Sequence, residues 1–146
     1  MARQSAEPIA AAPRSLERWL VALAALAAWS ILPPYLGPLV GLELDVPSSV
    51  EIVDHVLPGL VMIAGALSAR AAVGRGDIDG IRPLVALAAC VLAALFQTVS
   101  HVTLVLDAGS PQAPVGAVAL HSSPGPILLA LSLLLLLRPP REDAAR

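Results

Sequence analysis

Long apolar stretches that end at arginine constrain this chain more than any other feature. No charged residue occurs between Trp19 and Leu42. Further apolar runs lead to Arg70, start just after Arg82, and lead to Arg138. A helix needs about 20 such residues to cross the ~30 Å hydrocarbon core of a bilayer. The composition agrees: 57 % of residues are hydrophobic and 14 % charged, against about 45–50 % and about 25 % in soluble domains. The expected fold is an all-α integral membrane protein, a bundle of four transmembrane helices.

The spans are expected at about residues 16–35, 50–72, 83–106 and 115–137, within one domain over 16–138. Residues 1–15 are polar and rich in Ala and Pro and read as a disordered cytoplasmic tail. Residues 139–146 form a second short tail. Pro33-Pro34 disfavours helix at the end of the first span. Arg14 and Arg18 before a short apolar run also resemble a signal peptide, with Ala27 and Ala28 small enough for cleavage. Glu17 and the long polar lead argue against it. The first span is therefore read as retained.

All nine basic residues are arginine: Arg3, Arg14, Arg18, Arg70, Arg75, Arg82, Arg138, Arg141 and Arg146. In a four-span topology every one falls on the same side. The positive-inside rule then places both termini in the cytoplasm. The all-arginine basic set matches GC-rich codon usage, so the expected location is the inner membrane of a bacterium, as a multi-pass protein.

The net charge of −2 and the lack of a basic, aromatic-interleaved patch exclude nucleic acid as a partner. The expected partners are the lipid bilayer, a larger membrane protein, or further copies of the chain. The single cysteine, Cys90, has no internal disulfide partner and reads as an inert buried hydrophobe. Gly76-Asp77-Ile78-Asp79-Gly80 carries two acidic positions of a calcium loop without its terminal glutamate, so it reads as a solvated hairpin turn.

Two segments share the pattern H-x-x-P-G: His55-Val56-Leu57-Pro58-Gly59 and His121-Ser122-Ser123-Pro124-Gly125. One reading is a tandem duplication of spans one–two into spans three–four. Helix breaks at Pro58, Gly59, Pro124, Gly125 and Pro126 would then flank a binding site. The other is two ordinary helix starts, where proline is common.

Counting helical rise outward from Arg70, Arg82 and Arg138 puts His55 at ~22 Å, His101 at ~28 Å and His121 at ~26 Å. The three histidines of the chain thus form one layer near the outer face. Glu51, Asp54 and Gln97 surround them. Glu51–His55 and Gln97–His101 are each four apart and share a helix face. This spacing suits a metal-ligating imidazole whose second ring nitrogen is held by a neighbour. His55, His101 and His121 are the expected ligands, with Glu51, Asp54 and Gln97 orienting them, and zinc, copper or haem as the bound group.

No nucleophile–base motif, phosphate loop or dinucleotide fingerprint occurs, which argues against an enzyme. Two other functions stay open on sequence: a non-catalytic accessory subunit of a larger membrane complex, and a small-solute carrier.

Overall fold

The computed structural model describes residues 14–36, 39, 48–108, 119 and 122–138, and these are helical with connecting turns. Helix α1 is Arg14–Ser30, followed by the single turn α2, Pro33–Leu36. A short α3, Ser48–Glu51, runs through a π-helical turn, Ile52–Val56, directly into α4, Leu57–Gly74. Helix α5 is Ile81–Ala108 and α6 is Pro124–Leu136. Two of these stretches, Ile52–Gly74 and Ile81–Thr103, are long and apolar enough to cross a membrane. Of the expected fourth span, only the part from Ser122 onward, with the isolated residue 119, lies within the described residues.

The four longer helices close a ring in which α1 and α5 each pack on both α4 and α6. Neighbours run antiparallel. The end of α1 lies beside the start of α4, where His55 Nδ1 donates to the Ser30 carbonyl at 3.1 Å. The start of α4 meets the later half of α5 through Asp54 and His101, and Gly125 at the start of α6 faces Thr98 of α5. At the opposite end Arg138 donates to the carbonyls of Leu135, at 3.0 Å, and of Ile78 in the α4–α5 turn. The described arginines therefore gather at one end of the bundle and the histidines at the other.

The interior is built from one narrow stripe per helix. Leu16, Leu20, Leu23 and Ala27 are buried on α1, Met62, Ala66, Ala69 and Val73 on α4, Leu87, Cys90 and Ala94 on α5, and Leu128 and Leu135 on α6. Steps of three and four put each set on one helix face. Many interior residues are small, so backbones approach closely. At Gly65 a Cβ would stand 2.6 Å from Cys90 Sγ and 2.8 Å from the Ala86 carbonyl oxygen. The outward faces are apolar too: Leu92, Val99 and Leu134 are 66 %, 57 % and 72 % exposed.

Helix α4 ends as helices with a left-handed glycine do. Gly76 has φ of 85°, Asp77 N–H donates to the Ala72 carbonyl, and Gly76 N–H to that of Val73. Those two bonds are the Schellman pattern. The five-residue segment with two aspartates is thus a helix-stop turn, and the Asp77 carboxylate folds back against Gly80.

The two helical hairpins α1–α4 and α5–α6 pack alike. Pro58, Gly59, Met62, Ala66 and Ala69 are buried on α4, and so are Pro124, Gly125, Leu128, Ser132 and Leu135 on α6, each 66 positions later. Leu16, Leu20, Leu23, Ala27 and Ser30 of α1 correspond in the same way to Pro83, Leu87, Cys90, Ala94 and Gln97 of α5, 67 positions later. The contacts follow suit. Gly59 presses on Ile31, and Gly125 presses on Thr98, which stands where Ile31 does. The H-x-x-P-G glycines thus serve as close-approach points between the two helices of each hairpin.

Pro58 marks a change of helical pitch rather than a gap. The chain is helical from Ser48 to Gly74, and the break expected there takes the form of the π turn 52–56. Proline has no N–H and its ring crowds the carbonyl four residues back, here that of Asp54, so the turn before it widens.

Candidate metal centre

The π turn matters because Asp54 and His55 are adjacent in sequence yet both face inward, 2 % and 3 % exposed. Opposite them α5 presents Gln97 and His101, 2 % and 5 % exposed. The His55 and His101 rings meet edge to face, with centroids 4.6 Å apart and planes at 73°. The layer expected from helical rise therefore brings these two histidines into contact.

Each imidazole is held by its Nδ1. His55 Nδ1 donates to the backbone carbonyl of Ser30. That carbonyl is available for a reason written in the sequence: its helical partner would be the N–H of residue 34, and residue 34 is proline. Ile31 N–H and Leu32 N–H turn instead to Ala28 and Trp29, closing α1. His101 Nδ1 donates to Asp54 Oδ2 at 2.7 Å. The Ser100 hydroxyl bonds the other oxygen, Asp54 Oδ1. A carbonyl and a carboxylate only accept, so the proton of each neutral ring sits on Nδ1 and the lone pair on Nε2.

This is the orientation in which histidines ligate metals, the second nitrogen anchored to a carbonyl or a carboxylate. The anchors differ in part from those expected. Asp54, one of the three expected to orient the histidines, holds His101 across the helix pair, and the Ser30 carbonyl, which was not expected, holds His55. The cause is local: Pro34 frees one acceptor, and the π turn swings the other inward.

One ligand atom each from Asp54, His55 and His101 can be chosen so that all lie within 4.8 Å of one another. Because Asp54 Oδ2 already holds His101 through Nδ1, the ligand atoms these residues offer an ion are the two imidazole Nε2 atoms. Asp54 Oδ2 lies 3.6 Å from His55 Nε2, two acceptor atoms facing each other, an arrangement that favours a cation. A narrow gap adjoins the rings, lined by His55, Gln97, His101, Ser122, Pro124 and Gly125. Gln97 Oε1 is buried there with no hydrogen-bond partner among the described residues. His121 and the side chain of Glu51 lie outside the described residues.

Sequence reasoning did not single out Ser100 or the Ser30 carbonyl as parts of this site. A lone serine carries little signal. The carbonyl was detectable only by asking which acceptor Pro34 leaves without its N–H.

Comparison with protein-family models, with curated proteins and with solved structures finds no match to this chain.

Proposed function

We propose that this chain is a multi-pass integral membrane protein that binds a transition-metal ion, zinc or copper, at the histidine end of its bundle. His55 and His101 are the imidazole ligands and Asp54 holds the ring of His101. The observation that carries this reading is that both rings are anchored through Nδ1, with a carboxylate between them. Imidazole nitrogen suits zinc and copper alike. The gap beside the rings has no room for even a water molecule, against the roughly 300–1,000 Å³ of small-molecule sites. The site's size therefore favours an ion over haem or an organic solute.

Four spans are supported by the outward apolar faces, because soluble monomers rarely expose apolar patches beyond a few hundred Å². Only 28 % of the Ile81–Thr103 stretch is buried, which is low for the core helix of a soluble protein. Helices α1 and α6, of 17 and 13 residues, are each shorter than the about 20 that a span needs. The arginine end faces the cytoplasm of a bacterial cell and the metal faces outward. A reporter fused after Asp107 should then be active outside and one inserted at Gly76 active inside; the reverse pattern would sink this orientation.

Metal content and visible absorbance of the detergent-purified protein test the site, beside the variant His55→Ala/His101→Ala. Stoichiometric zinc or copper lost in the variant is the expected result. A metal-free protein that also fails to take up added Zn²⁺ or Cu²⁺ would leave the cluster as a polar packing element. Function would then point to the accessory-subunit reading. The single variant His121→Ala reports whether that residue supplies a further ligand.

A further inference from the structure

We infer that the outer groove between α4 and α5 binds an anionic phospholipid, its phosphate held by Arg75 and Arg82 and an acyl chain laid along the groove. This rests on the membrane reading above and is independent of the metal. The groove holds about 1270 Å³ counted to its open face. It exists because the residues along it are small: Ala64, Gly65 and Ser68 on α4 and Ala86 and Ala89 on α5. From Arg75 back to Val61, which lines its far part, the helix rises about 21 Å. One leaflet of the hydrocarbon core is about 15 Å, so the groove accommodates a chain lying along it.

Charge selects the headgroup. Arg75 caps α4 and Arg82 stands in the first turn of α5, so the short turn between the helices sets both at the same end of the groove. Both are exposed, and among the described residues neither pairs with a carboxylate. The nearby acids are turned elsewhere. Asp77 folds onto Gly80, and Asp79 lines a separate cleft with Arg138. Arg138 is itself committed to two carbonyls. The residues lining the groove thus include two arginines and no acid. Guanidinium forks match phosphate oxygens bidentately, and basic pockets between helices on the cytoplasmic side suit anionic headgroups.

Native mass spectrometry of the full chain, released from detergent with added phosphatidylglycerol or phosphatidylcholine, tests this. Phosphatidylglycerol adducts should survive collisional activation that strips phosphatidylcholine. Arg75→Gln/Arg82→Gln should reduce that preference roughly tenfold or more. Ser68→Phe, at an exposed groove position, should remove both adducts, whereas Arg70→Gln, outside the groove, should change nothing. Equal retention of the two lipids, or a preference that survives the double arginine variant, overturns the proposal. So does a dimer that Ser68→Phe converts to monomer, because a second copy would then fill the groove. Recovery of the chain in the aqueous fraction without detergent would instead overturn the membrane reading on which the proposal stands.

Discussion

Replacing Asp54 with asparagine is expected to weaken metal binding by about 10–100-fold, the usual consequence of losing a group that orients a ligand. Asp54 accepts from Ser100 with one oxygen and from His101 Nδ1 with the other. An asparagine amide offers one acceptor and one donor in their place. If its oxygen keeps Ser100, its NH₂ meets the Nδ1 proton of His101 and the ring must shift that proton to Nε2. If the amide turns to keep His101 and donates to Ser100, whose hydroxyl then bonds the Phe96 carbonyl, the neutral amide leaves the imidazole a weaker base. Either way the ion is held less tightly, although the volume of the side chain is nearly unchanged. Competition with a chromophoric chelator measures the loss, and circular dichroism checks that the helices persist. Asp54→Ala should bind still less and also lose roughly 1–3 kcal/mol of stability, because buried donors are left unsatisfied. Wild-type affinity in Asp54→Asn would remove Asp54 from the site.

Alanine substituted at two glycines of the same helix should change stability in opposite directions. At Gly65 the new methyl meets Cys90 Sγ at 2.6 Å and the Ala86 carbonyl oxygen at 2.8 Å, and the second is backbone that cannot rotate away. Helices α4 and α5 must part, at a cost of about 1–3 kcal/mol by analogy with overpacked cores. At Gly74 a Cβ meets nothing within 4 Å, and alanine there gains about 0.8–1 kcal/mol of helix propensity. Reversible unfolding in mixed micelles measures both. Gly65→Ala as stable as wild type would show that the α4–α5 approach is looser than described.

Much of this arrangement was legible in the residues. Arginine positions and helical rise place His55 and His101 in one layer, and the structure brings their rings together. The hairpin turn read at 76–80 is found there, although its start as a glycine helix stop at Gly76 was not singled out. Asp54 was legible as an orienting residue, but its reach to His101 on the facing helix and the part of the Ser30 carbonyl were not. Spacing of four within a helix pointed to Glu51 and Gln97, because periodicity reports neighbours on one helix and is silent on the facing one. The π turn was hidden for a related reason: a proline announces that a helix is disturbed, not whether it will stop or widen. The likeness of the two hairpins was legible only as three shared residues, His, Pro and Gly, within five positions. Burial selects a helix face rather than an identity, so Leu23 can stand where Cys90 does, and Ser30 where Gln97 does.

That likeness bears on how the molecule comes together. Each hairpin carries its own interior stripe and its own glycine contact, so each is complete as a packing unit. The ion site is not: Asp54 and His55 belong to the first hairpin and His101 to the second. The centre lies on the seam between them. The cluster forms only when the two halves dock, and an ion bound there, as proposed, would close the seam like a clasp, its occupancy reporting assembly.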